Sequence, residues 1–479
     1  MEWNKLLSTN TKIRRKENPK EFEKYPINDI EIDYEQIISS SAFRRLQDKT
    51  QVFPLDRSDF VRTRLTHSIE VSSIARQLGI MITKNTSEYC KDEFKSGDIN
   101  VESMPAVLAC AGLLHDIGNP PFGHFGEVVI GDWFKNELNN NFTFKDKPIR
   151  DILNEQMKKD LENFEGNAQA LRILTKSHLN GNDINLSYSI LNTLIKYPTD
   201  SVNFLSKDDD IKKHKLGYYY SENDTVEDIC RNTGTEIDGE YVRHPLTFLL
   251  EAADDIAYAT ADLEDALKKG LFTLDQFVEY YESQVEEITD KNKKKYSNEL
   301  LSHLNELREN TDKNAESDFN SFQKWICYTK KWLMYVVAYR FSRSYNEIML
   351  GTFKRDLFYN TNHENTMKIL KGAMKKFVFN DIEILKLELS AKKIIEAFLN
   401  DFIHAVIYWE EDNEDIYMSK ADKKYINIIP QSLRDEYINI ESKDLSERLY
   451  NKFMMVTDFI SGMTDSYAKN LYQQLYAIG

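Results

Sequence analysis

The chain has 479 residues, of which 41% are hydrophobic, 12% aromatic and 29% charged, and its formal net charge is −16. The hydrophobic and aromatic content excludes a largely disordered chain, and the negative charge disfavours binding to duplex DNA or an anionic membrane except through local basic clusters. Glycine and proline are scarce, at 17 and 10, so we predict a mostly helical protein. No apolar run reaches the roughly 18 residues that span a membrane, so we predict a cytoplasmic location.

The first part of the chain alternates helical patterns with polar connections. Residues 34–83 predict a helix, a loop and a second helix, and residues 84–104 predict a surface connection. Residues 105–116, with the sequence PAVLACAGLLHD, are small or apolar and predict another helix. The charged stretch 140–162 predicts irregular structure.

Helical patterns dominate from residue 164 onward. Residues 164–196 predict a helix pair around the turn NGND, 198–243 a loop region with short strands, and 245–269 one long helix. A charged helix is predicted over 272–310, and helical patterns continue beyond residue 320 to the end.

No linker rich in Gly, Ser or Pro divides the chain. We therefore predict an all-α fold with few short strands, arranged as a single domain over residues 1–479. Its core is expected at about 35–270, with a helical C-terminal elaboration at 271–479.

Three predicted helices each carry one polar residue in an otherwise apolar stripe. His67 shares a helix face with apolar residues four, seven and eleven positions later, and His115 and Asp254 lie in equivalent stripes. A buried aspartate is unfavourable unless it is paired or bound to a metal. One buried histidine alone is usually a hydrogen-bonded core residue, but the three residues together, with Asp116 beside His115, indicate a metal site formed by all four.

Two imidazoles and two carboxylates leave room for water and substrate oxygens around a six-coordinate ion. Imidazole favours Mn, Fe, Co, Ni or Zn, whereas Mg²⁺ prefers oxygen ligands. We predict a divalent cofactor, Mn²⁺ first, with Mg²⁺, Co²⁺, Ni²⁺, Fe²⁺ and Zn²⁺ as alternatives. The four cysteines are far apart and form no CxxC pair, which predicts reduced thiols and excludes a cysteine-based zinc site.

The stretch HDIGNPPFGHFGE, residues 115–127, adds a second reactive pair close to these predicted ligands. His124 and Glu127 are three residues apart, a spacing that can set an imidazole beside a carboxylate. The carboxylate would fix the imidazole tautomer and raise its basicity. We predict that His124 activates a water molecule and that Glu127 orients His124. Proton donation by His124 to the leaving oxygen, or a purely structural role in a Gly-rich turn, are the alternatives.

Residues 44–67 form a basic island, with six basic and three acidic residues and hence a net charge of +3. Such an island suits a polyanionic substrate, although a solvated surface would have the same composition.

Together, His67, the pair His115-Asp116, and Asp254 resemble the H…HD…D signature of the HD phosphohydrolase superfamily, whose members share a helical core. Four longer strings resemble the deoxyguanosinetriphosphate triphosphohydrolases of that superfamily: SAFRRLQDKTQVFPLDRSDFVRTRLTHS (41–68), HDIGNPPFGHFGE (115–127), FEGNAQ (164–169) and EAADDIAYATADLEDA (251–266). Shorter similarities are LIKYP (194–198), KLGYYYSE (215–222), MLGTF (349–353) and SGMTD (461–465). The resemblance is densest from 41 to 266 and sparse from 270 to 450.

The resemblance implies metal-dependent hydrolysis of dGTP to deoxyguanosine and tripolyphosphate, by attack of water on the α-phosphorus. It favours Asp254 over Asp255 as the fourth ligand, because Tyr258 and Asp262 then stand at the family's offsets on the same helix face. It also implies a set of substrate contacts, which are Gln51, Arg57, Asn167, Lys196, Lys215, Tyr258, Asp262, Phe379 and Glu388.

The resemblance places the basic members of this set at the phosphates. Arg57 can bind phosphate oxygens in bidentate fashion, whereas Lys196 and Lys215 act as point charges. Asn167 is expected near the nucleotide, with a helix N-cap as its alternative role.

The remaining members are expected around the sugar and the base. The ring of Tyr258 would clash with a 2′-hydroxyl, and Asp262 would meet the 3′-hydroxyl. Gln51, Phe379 and Glu388 are expected near the base, where a carboxylate would favour guanine over adenine.

Two alternative functions stay open. One is a broad-specificity dNTP triphosphohydrolase; the other is a single-stranded nucleic acid binder whose metal site is regulatory, which the net charge and the lack of an RNP-like motif disfavour. A phosphodiesterase or nucleotidase fits the longer strings less well. The resemblance also implies a homo-oligomer, often a hexamer, with single-stranded DNA or a nucleotide as effector.

Overall fold

The computed structural model describes residues 1–12, 28–53, 55, 58–89, 102–140, 142–176, 184–309, 314–440, 442 and 444–476. The helices of its first half are α1 (Trp3–Leu6), α2 (Asp29–Ser39), α3 (Ser41–Arg45), α4 (Arg64–Tyr89), α5 (Ser103–Leu114), α6 (His124–Asn139), α7 (Ile149–Ile152), α8 (Glu155–Glu162), α9 (Gly166–Thr175), α10 (Tyr188–Leu194) and α11 (Asn223–Thr233). The second half contains α12 (Pro245–Lys268), α13 (Leu274–Glu286), α14 (Lys291–Glu309), α15 (Ala315–Arg343), α16 (Tyr345–Met349), α17 (Glu364–Phe377), α18 (Ile382–Val406), α19 (Glu414–Tyr417), α20 (Lys420–Ile428), α21 (Gln431–Ile438), α22 (Leu445–Ser461) and α23 (Asp465–Tyr476).

The strands form two short antiparallel hairpins, β1 (Thr143–Phe144) with β2 (Lys147–Pro148), and β3 (Glu236–Ile237) with β4 (Glu240–Tyr241). Among the described residues, short 3-10 helices lie at Leu46–Asp48, Ile211–Lys213 and Tyr220–Glu222. The predicted all-α fold with few short strands is confirmed. None of the helices in the described part of the chain is long and apolar enough to cross a membrane.

The prediction of irregular structure over 140–162 is wrong, because the first hairpin and helices α7 and α8 lie there. The side chain of Asn154 accepts a hydrogen bond from the Met157 amide at 2.9 Å and caps α8. Met157 and Leu161 are buried on one face of that helix, so its charged residues conceal an amphipathic pattern.

Two other segments differ from their prediction, one by containing a helix and the other by a break. Helix α11 occupies part of 198–243, and the helix predicted over 272–310 is divided into α13 and α14. The predicted turn NGND lies outside the described residues, as do residues 90–101 of the predicted connection.

Helices α4 and α5 pack closely because small residues line their interface. A Cβ atom placed on Gly112 would lie 2.5 Å from the Ser72 Cα, so only glycine permits this approach. The Ser72 hydroxyl donates a hydrogen bond to the Ala109 carbonyl at 2.8 Å across the same interface. This contact brings His67 on α4 next to His115, with their ring centroids 5.4 Å apart.

Two apolar clusters fill the interior. One joins α4, α5 and α12 to helices α13–α17, and the other joins α6 to the C-terminal helices α18 and α22. The segment between α5 and α6 serves both, since Ile117 belongs to the first cluster and Phe122 to the second. Because no cluster boundary falls at residue 270, we propose that residues 1–479 fold as one unit.

Buried charges tie α9 to α22. Arg172 is 1% exposed and binds both Asp458 carboxylate oxygens, at 2.8 and 2.9 Å, and Glu222 at 3.0 Å. Breaking a buried ion pair typically costs about 3–5 kcal/mol, because it leaves an uncompensated charge.

We therefore expect Arg172→Ala to lower the free energy of unfolding by about 3–5 kcal/mol in urea denaturation. The exposed pair of Arg231 and Glu227 provides the control, since Arg231→Ala should change the free energy by less than about 1 kcal/mol. Equal effects of the two substitutions would contradict a structural role for the buried network.

Candidate active site and metal centre

Three separate parts of the fold bring the predicted ligands together. His67 lies in α4, His115 follows α5 directly, and Asp254 lies in α12. The Asp254 Oδ1 lies 3.3 Å from His67 Nε2 and 3.4 Å from His115 Nε2, and Asp116 Oδ2 lies 3.4 Å from His115 Nε2. One ligand atom each of His67, His115 and Asp116 fits within 4.8 Å of the others, a spacing that a single metal ion can bridge.

The tautomer of His115 argues for a cation at this position. Its Nδ1 lies 2.9 Å from the Gly112 carbonyl oxygen and donates a hydrogen bond to it. In the neutral ring, Nε2 then carries a lone pair, and this buried atom has no hydrogen-bond partner. Nε2 therefore faces carboxylate oxygens of Asp116 and Asp254, both at 3.4 Å. Either a proton on Nε2 or a metal ion among these oxygens makes the arrangement favourable.

A second layer of side chains orients the carboxylates. Arg64 donates to Asp116 Oδ2 at 2.7 Å, and the Asn119 amide donates to Asp116 Oδ1 at 2.6 Å. Lys196 binds the second oxygen of Asp254 at 2.9 Å. Burial would raise the pKa of Asp116, but the neighbouring His115 and Arg64 outweigh it and hold that pKa at about 2.

The predicted pair of His124 and Glu127 is formed at the start of α6. His124 Nδ1 lies 2.5 Å from Glu127 Oε2, and the other carboxylate oxygen accepts a hydrogen bond from the Gly166 amide at 3.2 Å. The His124 side chain is 74% exposed, whereas that of Glu127 is 6% exposed. The hydrogen bond to Glu127 raises the pKa of His124 above its ordinary value, and the free Nε2 of the imidazole is open to a substrate.

The loop before α6 is held by the C-terminal helices. Lys49 is buried and donates to the Asn119 carbonyl at 2.6 Å and to the Ser461 carbonyl at 2.7 Å. Asp465 accepts a hydrogen bond from the Phe122 amide at 2.8 Å. The loop then turns through positive φ angles at Phe122 and Gly123, of 63° and 65°. The motif SGMTD therefore fixes the backbone that presents His124.

The motif FEGNAQ lies beside this pair at the start of α9. Glu165 binds Lys215 at 2.8 Å and accepts a hydrogen bond from the Asn167 side chain at 2.6 Å. The N-cap position of α9 belongs to Glu165, so the alternative role of Asn167 as N-cap is wrong. Gly166 lies between the side chains of Asn119 and Glu127. A Cβ atom on Gly166 would lie 2.4 Å from Asn119 Oδ1 and 2.5 Å from Glu127 Oε1.

Helix α12 carries a half-exposed stripe along an otherwise buried segment. Asp254, Asp255 and Tyr258 are partly exposed, whereas Asp262 is 1% exposed. The Tyr258 ring stacks on Phe379, with centroids 6.4 Å apart and an interplanar angle of 18°. Burial raises the pKa of Asp262 to about 7, and its Oδ2 has no hydrogen-bond partner.

For three predicted substrate contacts, no described hydrogen bond or ion pair connects the side chain to the ligand cluster. Arg57 lies outside the described residues. Gln51 is partly buried, and its Oε1 has no hydrogen-bond partner. Glu388 lies on α18, and in the described part of the chain no hydrogen bond or ion pair connects it to the ligand cluster.

The structure also adds positioning residues that sequence reasoning did not assign. Arg64 and Asn119 hold Asp116, and Glu165 holds both Lys215 and Asn167. All three lie within the strings that carry the family resemblance. The contacts of Asn119 with Asp116 and of Glu165 with Asn167 are local in sequence. The contacts of Arg64 with Asp116 and of Glu165 with Lys215 are distant, and only the packing of the fold shows them.

Comparisons with known proteins agree with this geometry. A family model of the HD domain matches residues 64–230. The chain is 41% identical to deoxyguanosinetriphosphate triphosphohydrolase-like proteins of Listeria monocytogenes and Listeria innocua, over 99% of each chain. It is 30% identical to the deoxyguanosinetriphosphate triphosphohydrolase of Yersinia pseudotuberculosis, over 94% of both chains. The chain therefore belongs to the HD-domain family of deoxyguanosinetriphosphate triphosphohydrolases.

Proposed function

We propose that this protein hydrolyses dGTP to deoxyguanosine and tripolyphosphate. The observation that carries the proposal is the cluster of His67, His115, Asp116 and Asp254, in which two imidazoles face two carboxylates at 3.3–3.4 Å. Family membership over nearly the whole chain supports the same reaction. Water attacks the α-phosphorus, the bond from phosphorus to the 5′ oxygen breaks, and the proton lost by water balances the proton gained by that oxygen.

The HD domain implies a divalent metal, and these four side chains fit one. We propose Mn²⁺, because two imidazoles with two carboxylates suit a transition-metal ion better than Mg²⁺. When bound, the ion would neutralise charge on the α-phosphate and polarise its oxygens. Arg64, Asn119 and Lys196 keep the carboxylates ionised and oriented for it.

We assign proton transfer to His124, with Glu127 as its positioning residue. The Nδ1 contact of 2.5 Å leaves Nε2 free to accept a proton from water. A protonated Nε2 could instead donate to the departing 5′ oxygen. The two roles predict opposite dependence of the rate on pH.

We propose that basic side chains bind the phosphates of the substrate, whereas aromatic rings contact its sugar and base. Lys196 and Lys215 meet the phosphates, with Arg57 as a further contact. Tyr258 and Phe379 enclose the sugar and base, with Asp262 near the 3′-hydroxyl. Gln51 and Glu388 are proposed at the base edge, and Asn167 near the nucleotide.

Hydrolysis of the four dNTPs in separate reactions with Mn²⁺, followed by ³¹P NMR, tests this function. We expect tripolyphosphate as the phosphorus product and the highest kcat/KM for dGTP. Similar kcat/KM values for all four dNTPs would favour a broad-specificity triphosphohydrolase. Release of single phosphate or pyrophosphate would contradict the triphosphohydrolase assignment.

Gly166→Ala tests whether the close approach of Gly166 positions Asn119 and Glu127 for catalysis. The added methyl would displace Glu127 or Asn119, and misplacing a catalytic group by about 1 Å costs roughly a hundredfold in rate. We expect kcat to fall about that much while the fold is retained. Gly270→Ala is the control, because Gly270 is exposed after α12 with φ of 75° and should reduce stability only. Unchanged kcat in Gly166→Ala would contradict the proposed positioning.

A second function, binding of single-stranded nucleic acid, is favoured by the exposed face of α15. Tyr328, Trp332, Tyr335 and Tyr339 lie along it, with exposed fractions of 37%, 41%, 61% and 65%. Residues 319–346 contain five basic residues and no Asp or Glu, although the chain is strongly acidic. Aromatic rings stack on unpaired bases and basic groups neutralise phosphates.

Fluorescence anisotropy with a labelled oligothymidylate at low salt tests this surface. We expect the double substitution Trp332→Ala, Tyr335→Ala to weaken binding by about tenfold or more, because each stacked base contributes about 1–3 kcal/mol. Absence of binding to the unaltered protein would exclude this function. From the family resemblance we also propose a cytoplasmic homo-oligomer, most simply a hexamer, which light scattering would measure.

A further inference from the structure

Lys371 on α17 contacts the helix that carries the metal-site aspartate. Its Nζ lies 2.7 Å from Asp255 Oδ1. The side chains of Lys371 and Asp255 are 44% and 28% exposed, so the pair lies open to solvent. The same helix leads to Phe379, which stacks on Tyr258. Helix α17 and the residues after it therefore contact the half-exposed face of α12 through Lys371 and Phe379.

Asp255 belongs to this open face of α12. The partly exposed residues of the segment 250–262 are Glu251, Asp254, Asp255 and Tyr258, so the adjacent aspartates lie about one helical turn from both Glu251 and Tyr258. The resemblance favours Asp254 over Asp255 as the metal ligand. Asp255 does bind a neighbouring side chain, but it shares the open face with Asp254.

The position along α12 identifies the part of the nucleotide that Lys371 would meet. Asp255 follows the metal-site aspartate directly and precedes Tyr258 by about one helical turn. On the side away from Tyr258, Arg243 binds Glu251 at 2.8 and 3.1 Å and donates to the Lys196 carbonyl at 2.6 Å. Lys196 and Lys371 both act electrostatically on Glu251 and help to lower its pKa, so Lys371 lies toward the Lys196 end of the face.

Lys371 and Lys215 share one arrangement. Lys215 is 38% exposed and is held by Glu165 at 2.8 Å, and Lys371 is similarly exposed and held by Asp255. Each ammonium is fixed by a carboxylate yet keeps donors that face solvent. A triphosphate tail carries roughly four negative charges and requires several such cations.

We propose that Lys371 is a substrate-binding residue that contacts the polyphosphate tail of the nucleotide, and that Asp255 holds its ammonium until the phosphate replaces it. The proposal rests on the proposed function, because it names a further contact in the same site. Asp255 competes with phosphate for the ammonium of Lys371. Removing the lysine and removing the aspartate should therefore have opposite effects on phosphate binding.

Calorimetry with tripolyphosphate and, separately, deoxyguanosine tests the proposal on the Mn²⁺-loaded protein. We expect Lys371→Met to weaken tripolyphosphate binding by about tenfold or more, the loss of one charge-assisted hydrogen bond, without changing deoxyguanosine binding. KM for dGTP should rise similarly with kcat within about threefold, and Lys371→Arg should retain most of the affinity. Lys368→Met, an exposed lysine of the same helix paired with Glu364, is the matched control.

Asp255→Asn separates phosphate binding from a structural role. Phosphate binding predicts tighter tripolyphosphate binding in this variant, whereas a purely structural ion pair predicts the same loss as in Lys371→Met. Unchanged tripolyphosphate affinity in Lys371→Met, or a loss for deoxyguanosine instead, would overturn the proposal. Failure of the unaltered protein to hydrolyse dGTP would refute the proposed function, while the tripolyphosphate titration would still report on Lys371.

Discussion

Asp254→Asn is expected to abolish binding of the divalent metal and to lower kcat for dGTP by at least about a thousandfold. The substitution removes the carboxylate charge that faces both His67 and His115, at 3.3 and 3.4 Å. A bound metal supplies several kcal/mol of charge stabilisation in the transition state, and each 1.36 kcal/mol corresponds to tenfold in rate. Metal content by mass spectrometry and steady-state kinetics measure the two effects.

The neighbouring acid provides a matched control for metal binding. Asp255→Asn makes the same chemical change one residue later, where the carboxylate binds Lys371 rather than the imidazoles. We expect this variant to retain the metal. Full metal content in Asp254→Asn would contradict the assignment of Asp254 as ligand, and a loss of metal in both variants would show that the change acts through the helix.

His124→Ala is expected to lower kcat by about 10²–10⁴-fold, the range for loss of a general acid or base. The metal should be retained, because His124 lies on α6, outside the ligand cluster. His404→Ala, at an exposed histidine of α18, controls for the loss of an imidazole elsewhere. A drop in metal content that parallels the drop in rate would contradict a separate role for His124.

The pH profile separates the two roles of His124. Glu127 raises the pKa of His124 above its ordinary value of 6.5. If His124 is the base, kcat falls as the pH drops through this raised pKa. Glu127→Gln removes the charge, lowers the pKa and moves this acidic limb to lower pH. If His124 is the acid, kcat instead falls as the pH rises through this pKa. Glu127→Gln then moves this alkaline limb to lower pH as well.

Local patterns predicted much of the fold because they reflect burial. The stripes around His67 and Asp254 are apolar at helical spacing, and the residues that share a face with them are buried. The segment 140–162 was mispredicted for the opposite reason. In α8 a few apolar residues among many charges suffice once Asn154 caps the helix, and composition alone hides that pattern.

The site could be predicted only where its chemistry is local in sequence. Thirteen residues contain His115, Asp116, His124 and Glu127. Their residue types alone indicate metal binding and proton transfer. The Lys371 contact with Asp255 spans 116 positions along the chain. No periodicity predicts a contact over such a separation, because it depends on how α17 packs against α12.

Diffraction at the manganese absorption edge, from crystals grown with Mn²⁺, tests the metal centre most directly. We expect one anomalous peak within bonding distance of His67, His115, Asp116 and Asp254. It should disappear in crystals of Asp254→Asn grown in the same way. Density that shows these four side chains with no ion among them, at a manganese concentration that supports dGTP hydrolysis, would contradict the proposed metal centre.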